Sequence, residues 1–246
     1  MEPLRGSAKV ASFRKHNAGI SMSLSYFAAR AFALAGASLL LAACAYEVAY
    51  RPDYVSADPP PYIAKAKLLI VMPATQREFV YKGHPSSSTG DYTTLTIPMG
   101  AIVEEVATQV FGGCFANGVD FVESLEGQDG YVLAVEGDMR DFAYSYTKIL
   151  DQGFGDGEGT AVPWIVPEID IAFHVKAYNR AGETVLDKLY DSGVAVGASY
   201  IVTGRPAERI NQVLHKTLQT LMLNLATDIR PLLTGACEVE EVARKN

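Results

Sequence analysis

Residues 168–178, which read EIDIAFHVKAY, decide the fold prediction. Apolar side chains alternate there with polar ones, a period of two that predicts a strand with one buried and one wet face. The apolar members are Ile169, Ile171, Phe173, Val175 and Ala177. Residues 179–182, NRAG, are expected to form a hairpin turn in which Gly182 takes a positive φ, so a return strand should run from about Glu183 to Val196.

Other stretches before this hairpin also predict strands. Residues 67–72, KLLIVM, are apolar on both faces and indicate a central buried strand. Residues 131–146 show one apolar face that changes parity halfway, which predicts a β-bulge near Arg140-Asp141. The apolar positions are Tyr131, Leu133, Val135 and Met139, then Phe142, Tyr144 and Tyr146. A short strand is expected at 119–123, and a short hairpin inside the polar loop 76–96.

Two segments have the apolar periodicity of amphipathic helices. The first, 98–114, opens on Pro98, which suits a first helical turn, and carries Cys114 on its apolar stripe. The second opens on Pro206, and Pro231 and Gly235 are expected to end it. Its stripe consists of Ile210, Val213, Leu214, Leu218, Leu221, Leu225 and Ile229.

The order of these elements predicts an α+β fold. A strand, a helix, three or four strands and a final helix are compatible with a two-layer sandwich, in which two amphipathic helices cover one face of a mostly antiparallel sheet of four or five strands. We expect a single domain over residues 65–236, followed by a charged, loose tail at 237–246.

The N-terminal region has the features of an export signal. The hydrophobic run 31–43 would be about 20 Å long as a helix, whereas a bilayer core needs about 30 Å. Residues 1–43 therefore indicate a secretory signal rather than a membrane span. Met22 is an alternative start that would leave Arg30 as the charged flank.

Leu41-Ala42-Ala43-Cys44 closes that run and resembles the lipobox of bacterial lipoproteins, which are cut just before the cysteine. The resemblance implies that the Cys44 thiol carries a diacylglycerol and that the new N-terminus carries an N-acyl lipid. We expect the protein to have no other cofactor. The alternative is a plain signal peptide followed by a chance cysteine. In the enterobacterial sorting pattern of such lipoproteins, an Asp after the cysteine implies retention at the inner membrane. Ala45 therefore favours the periplasmic face of the outer membrane, and the inner membrane is the alternative.

Residues 44–64 are expected to connect that anchor to the domain. Pro52 and residues 59–61, PPP, disfavour helix and favour an extended tether with a reach of about 60 Å. The alternative is that part of this segment lies along the domain as an edge.

The charge argues against several classes of partner. The formal net charge is −7, and without residues 1–43 it is about −11, with 16 basic and 27 acidic residues. Such an acidic chain repels nucleic-acid phosphates and anionic lipid surfaces. Solubility in the periplasm is the simplest reason for this acidity.

Cys114 and Cys237 would lie in an oxidising compartment. A disulfide between them would close a loop of more than 120 residues and contribute nearly 5 kcal/mol in the chain-entropy model. The alternative is two free thiols, which proteins often bury.

The sequence contains no GxSxG, HExxH or Walker motif, and no Cys/His spacing typical of a metal site. His84, His174 and His215 are interpreted as solvated. Residues 151–159, DQGFGDGEG, offer oxygens to calcium but miss the EF-hand spacing, so a flexible connection is the simpler interpretation. We therefore expect no metal and no enzymatic activity.

One surface suits a protein partner. Glu168, Asp170, His174 and Lys176 share the open face of the strand at 168–178, which is either solvated or a docking surface. Aromatic side chains that suit interfaces lie in or near it. The predicted docking residues are Tyr144, Tyr146, Trp164, Asp170, His174, Lys176 and Tyr178.

Beyond residue 65 the succession of elements resembles that of YajG-type and LptE-type outer-membrane lipoproteins. The likeness implies an accessory subunit of a larger envelope complex, with no functional residue carried over. A lipid- or glycan-carrier with an apolar groove between helices and sheet is the second hypothesis, and a hydrolase with a dispersed site is the third. The oligomeric state is left open.

Overall fold

The computed structural model describes residues 45–56, 60–91, 93–151, 162–201 and 206–241. The helices in this part of the chain are α1 (Ala74–Arg77), α2 (Met99–Cys114) and α3 (Pro206–Leu233), and a 3-10 turn spans Pro52–Tyr54. The strands are β1 (Ala45–Glu47), β2 (Tyr62–Ala64), β3 (Leu68–Val71), β4 (Tyr81–Gly83), β5 (Thr94–Ile97), β6 (Val119–Val122), β7 (Leu133–Asp151), β8 (Val162–Tyr178), β9 (Thr184–Asp191), β10 (Ala195–Val196), β11 (Tyr200–Ile201) and β12 (Val239–Glu241).

The main sheet is built on the antiparallel pair of β7 and β8, whose register runs from Ala134↔Tyr178 to Asp151↔Val162. Its order is β6-β3-β7-β8, and β9, β10 and β11 all pair with the other edge of β8. The expected mostly antiparallel sheet of four or five strands is thus too small. Among the described residues the sheet has seven strands, and β3 runs parallel to both β6 and β7. A crossover through α2 returns the chain to the same end of the sheet, which makes β3 and β6 parallel.

Local features of the hairpin match the sequence pattern. The register of β7 against β8 shifts between Met139 and Asp141, which confirms the predicted bulge. Gly182 has a φ of 78° in the turn before β9, as expected. The return strand is shorter than predicted, because β9 ends at Asp191 and β10 resumes only at Ala195. Gly193 takes a positive φ of 54° between them, which interrupts the extended backbone.

Both long helices pack on one face of the main sheet, which confirms the two-layer α+β sandwich. The predicted stripe of α3 is buried, with Ile210, Leu214, Leu218 and Ile229 fully inaccessible. Of the two residues expected to end this helix, Pro231 lies within it, since α3 continues to Leu233, whereas Gly235 follows the helix with a positive φ of 84°. Pro231 removes one helical hydrogen bond, and the complete burial of Leu233 in the last turn offsets this loss.

The polar loop 76–96 contains the predicted short hairpin. β4 pairs antiparallel with β5, and β1 adds to the other edge of β5 in parallel. The hairpin covers the distal half of β7, where the hydroxyl of Tyr144 donates to the carbonyl oxygens of Gly83 and Thr93 at 2.8 and 3.2 Å.

The two ends of the domain are ordered against it. For residues 45–56 and 60–64 the structure matches the alternative of an edge along the domain rather than a free tether, since Val48, Val55 and Tyr62 are buried. The tail is not loose throughout, because β12 pairs antiparallel with β2. Val239 opposite Ala64 gives this short strand an apolar side chain to pack.

An ion pair and a hydrogen bond connect α3 to β9. The carboxylate of Asp228 accepts hydrogen bonds from Lys188 Nζ and from the hydroxyl of Tyr190, both at 2.7 Å. The hydrogen bond from Lys188, and then that from Tyr190, lowers the pKa of Asp228 below its ordinary value of 3.8. The charged form is favoured by folding, so its stabilising contribution is complete above pH 3.8 and is lost as the pH falls through the lowered pKa.

We predict that Asp228→Asn lowers the free energy of unfolding at pH 7 by about 1–2 kcal/mol, because two hydrogen bonds to a charged acceptor are weakened. Urea denaturation measures this difference, which should shrink below pH 4. Asp120→Asn is the matched control, since its ion pair with Lys67 is exposed and should contribute less than about 0.5 kcal/mol. Equal losses in both variants would contradict the prediction.

Candidate functional site

A cavity of about 260 Å³ lies between the two long helices and the main sheet. Its floor is the helix-facing side of β3, β7 and β8, with α1 at one end. The floor includes Ile70, Val135, Met139, Phe173 and Val175. The helices contribute Val103, Ala107 and Phe111 from α2 and Leu218, Leu221 and Leu225 from α3. The geometry therefore provides an apolar space inside the core cluster.

Gly137 creates part of this space. It lies on the floor between Val135 and Met139, opposite Val175, where the alternation of β7 calls for a buried side chain. A Cβ built on Gly137 has no heavy atom within 4 Å. The φ angle of Gly137 is not positive, so the backbone conformation does not require glycine at this position. The missing side chain leaves room that larger residues would fill.

Gly100 positions the end wall of the cavity. A Cβ on this residue would lie 2.2 Å from the carbonyl oxygens of Gln76 and Arg77, so no other residue allows α1 to approach α2 this closely. This contact brings Gln76 and Phe79 to the cavity, where the Phe79 ring is 39 % exposed. The cavity therefore has an aromatic side chain at its solvent side.

Polar groups occur in the lining at few places. Thr75 and Gln76 contribute to it, whereas Asp138 borders it with its backbone only, because its carboxylate pairs with Arg140 Nη2 at 3.1 Å on the opposite face of the sheet. An apolar cavity of about 150 Å³ is known to stay dry and to bind small apolar molecules. This larger apolar space with a few polar groups is suited to hold the apolar part of an amphiphile by burial rather than by hydrogen bonds.

Part of the predicted docking face is wrong. Tyr144 and Tyr146 are only 1 % and 3 % exposed, so they belong to the core. After the bulge they share the helix-facing parity of β7, and the β1-β5-β4 sheet covers that end. Burial raises the pKa of both hydroxyls above its ordinary value.

The other predicted docking residues do share one face. Trp164, Asp170, His174, Lys176 and Tyr178 have the same parity on β8, on the side turned away from the helices. This face carries a polar network. His174 Nε2 lies 2.5 Å from Asp187 Oδ1, the Tyr178 hydroxyl donates to Glu136 at 2.8 Å, and Arg140 Nη2 lies 3.4 Å from His174 Nδ1.

The interpretation of His215 as a solvated histidine is wrong. Its side chain is 0 % exposed, and its Nε2 accepts the backbone N–H of Arg51 at 3.0 Å. Burial lowers the pKa of His215, and the hydrogen bond to the Asn211 carbonyl partly offsets that effect. The signal in the sequence was the spacing of Asn211, His215 and Gln219, three polar residues four apart beside the apolar stripe of the helix. His84 is exposed, as expected, and His174 is partly buried.

The two cysteines of the domain are free thiols in the structure, the second of the alternatives above. Burial raises the pKa of Cys114 to about 11 and also raises that of Cys237. Both therefore stay protonated at neutral pH and are poor nucleophiles and metal ligands. No group of three or more His, Cys, Asp or Glu side chains suited to a metal occurs among the described residues.

Several sequence predictions lie outside the described residues. They are the leader 1–43, lipidation at Cys44, and residues 152–159 of the Gly-rich connection. Within the described part of the chain, none of the helices combines the length and hydrophobicity needed to cross a membrane.

No protein-family model and no curated protein matches the chain. Solved structures with some similarity include a Xanthomonas campestris protein of family DUF330, with 13 % identity, 74 % of this chain and 91 % of that chain covered, and a TM-score of 0.39. A Helicobacter pylori homologue of neuraminyllactose-binding hemagglutinin has 9 % identity, coverage of 74 % and 95 %, and a TM-score of 0.37. A minor lipoprotein from Acinetobacter baumannii has 12 % identity, coverage of 67 % and 92 %, and a TM-score of 0.33. At these values the likenesses establish neither a shared fold nor a shared function.

We predict that Gly137→Val raises the free energy of unfolding by about 1–2 kcal/mol, because it adds β-propensity and buries methyl groups in open space. Thermal or urea denaturation measures the change. Gly112→Ala is the control for replacing a glycine outside the cavity, since Gly112 is exposed on α2 and an added Cβ would have no neighbour within 4 Å; it should raise the free energy of unfolding by about 0.5–1 kcal/mol through helix propensity alone. If Gly137→Val destabilises the protein instead, the space beside Gly137 is already filled.

Proposed function

We propose that the chain is a lipid-anchored protein of the bacterial envelope that binds an apolar chain between its helices and its sheet. The observation that supports ligand binding is the apolar cavity and the glycine at position 137 that keeps its floor open. We assign it no enzymatic activity and no cofactor other than the lipid on Cys44.

The size of the cavity narrows the ligand class. Sites for drug-sized ligands usually measure roughly 300–1,000 Å³. A space of about 260 Å³ with an almost wholly apolar lining fits one segment of an unbranched acyl chain, and it offers few partners for the hydroxyl groups of an oligosaccharide. Burial stabilises such a chain by about 0.8 kcal/mol for each methylene. An acyl chain therefore agrees with the cavity better than the glycan that the sequence left open.

The anchoring part of the proposal rests on the Leu41–Cys44 box. Two or three acyl chains on Cys44 would hold the protein almost irreversibly, at about 0.8 kcal/mol for each buried methylene. We place the domain on the periplasmic face of the outer membrane, because Ala45 follows the cysteine and not Asp. A lipid carrier in that position would have its ligand source in the adjacent bilayer.

A second candidate function is an accessory subunit of an envelope complex. The favouring observation is the sheet face that carries Asp170, His174 and Lys176, beside exposed apolar side chains of β9. Leu189, opposite His174 in the register, is 53 % exposed. A protein partner could cover this polar face and its apolar neighbour together.

We expect a fluorescent polyene fatty acid to bind saturably to the Cys44→Ser protein, which has no thiol to be acylated. Adding Gly137→Leu should weaken this binding at least tenfold, because the side chain occupies the cavity floor. Adding Gly112→Ala should leave it unchanged. Fluorescence titration measures affinity, and native mass spectrometry shows whether a ligand co-purifies.

Equal affinity in the Gly137→Leu protein, or the absence of saturable binding, would contradict the carrier function. If crosslinking on intact cells then returned one specific envelope protein, the accessory function would be favoured instead.

Lipidation has its own test. Radiolabelled palmitate should enter the wild-type chain in growing bacteria and should be absent from Cys44→Ala. The variant should also leave the membrane fraction, because the anchor is lipid. Continued sedimentation of exported, trimmed Cys44→Ala with membranes would contradict the anchoring proposal.

A further inference from the structure

Residues 48–56, here called the strap, cross both long helices. Val48 at the start of the strap and Val55 near its end are buried, with 2 % and 5 % of their surface exposed. The Val48 N–H donates to the Thr96 carbonyl at 3.0 Å, and the Tyr50 hydroxyl donates to Gln109 of α2 at 2.9 Å. The segment that follows the predicted lipidation site is therefore held on the domain.

Three buried side chains of α3 bind backbone atoms of the strap. Asn211 Nδ2 donates to the Ala49 carbonyl at 2.8 Å. Gln219 Oε1 accepts the Ser56 N–H, and its Nε2 donates to the Ser56 carbonyl, both at 2.9 Å. His215 lies between them at the same four-residue spacing, which places all three on one side of the helix.

His215 can make its contact in one protonation state only. Its Nε2 accepts the Arg51 N–H at 3.0 Å, while its Nδ1 lies 2.9 Å from the Asn211 carbonyl oxygen and donates to it. The ring is therefore neutral, with its proton on Nδ1. Tyr50 and Tyr54 cover it at ring distances of 5.5 and 5.9 Å. A second proton, on Nε2, would point at the Arg51 N–H and remove the bond.

Other ionisable groups also lie around the strap. They are Tyr50, Arg51, Asp53 and Tyr54 of the strap, Glu105 of α2, which acts on the Tyr50 hydroxyl, and Glu208 of α3, which accepts from the Tyr54 hydroxyl at 3.2 Å. Carboxylates ordinarily titrate near pH 4, and tyrosine and arginine at or above about pH 10. Histidine is the one residue type in this set whose ordinary pKa lies between pH 5 and 8.

We propose that the strap is an acid-released clasp, in which protonation of His215 breaks its bond to Arg51 and detaches residues 48–56 from the two helices. Burial lowers the pKa of His215 in the docked state. The stabilising contribution of the neutral ring is therefore complete above the ordinary pKa of 6.5 and is lost as the pH falls towards the lowered value. Over that interval each pH unit weakens docking up to about tenfold.

Release would change the reach of an anchored domain. Nine freed residues can span about 30 Å when extended. This consequence rests on the proposed function, because it requires the lipid on Cys44. Detachment of the strap itself requires neither the lipid on Cys44 nor a bound ligand.

Hydrogen–deuterium exchange on the full chain tests the clasp. At pH 7.5 a peptide covering residues 48–56 should be protected. At pH 5.0, after correction for the intrinsic exchange rate, its protection should fall at least tenfold while α2 and α3 stay protected. In His215→Gln, whose side chain cannot gain a proton, the protection of this peptide should be the same at both pH values.

Two further variants keep the test decisive if His215→Gln loosens the fold. Gln219→Ala should lower the protection of the strap at both pH values and retain the response to acid. His174→Gln changes a histidine on the opposite face of the sheet and should behave as wild type. A wild-type strap that stays protected at pH 5.0, or an equal fall in His215→Gln, would overturn the clasp. Neither outcome depends on lipid attachment or ligand binding.

Discussion

The antiparallel pairing of β7 with β8 is the constraint on which the rest of the structure depends. Its register, shifted once between Met139 and Asp141, decides which side chains of both strands face the helices. On that face Val135, Met139 and Val175 support α2 and α3, and Gly137 leaves the space between them. A slip of one residue would exchange the apolar and polar faces, and would remove both the core and the cavity.

Local patterning was enough to predict much of the fold. The alternation at 168–178, the parity change near Arg140 and the helical stripes each reflect a short-range periodicity that burial imposes. The width and mixed direction of the sheet could not be read in this way, because the position of β3 between β6 and β7 depends on contacts distant in sequence. The expectation that Pro231 ends the helix failed for a related reason, since the burial of Leu233 outweighs the tendency of proline to end a helix.

The candidate site was harder to predict from the sequence than the fold. A groove between helices and sheet was among the expectations, but its location depends on one glycine whose importance appears only once the helix-facing side of β7 is known. Tyr144 and Tyr146 looked like interface residues because tyrosine suits both surfaces and cores. His215 was missed because a histidine on an amphipathic helix resembles a solvated one until the strap is seen to cover it.

The carrier proposal requires that the apolar space of about 260 Å³ between the helices and the sheet is kept open in the folded protein. Retention of that space is the central claim, and a crystal structure under xenon pressure tests it most directly. Xenon should bind between Gly137 and Leu221, as it does in dry apolar cavities. Helix side chains packed against the backbone of β7, with no xenon there, would contradict the claim.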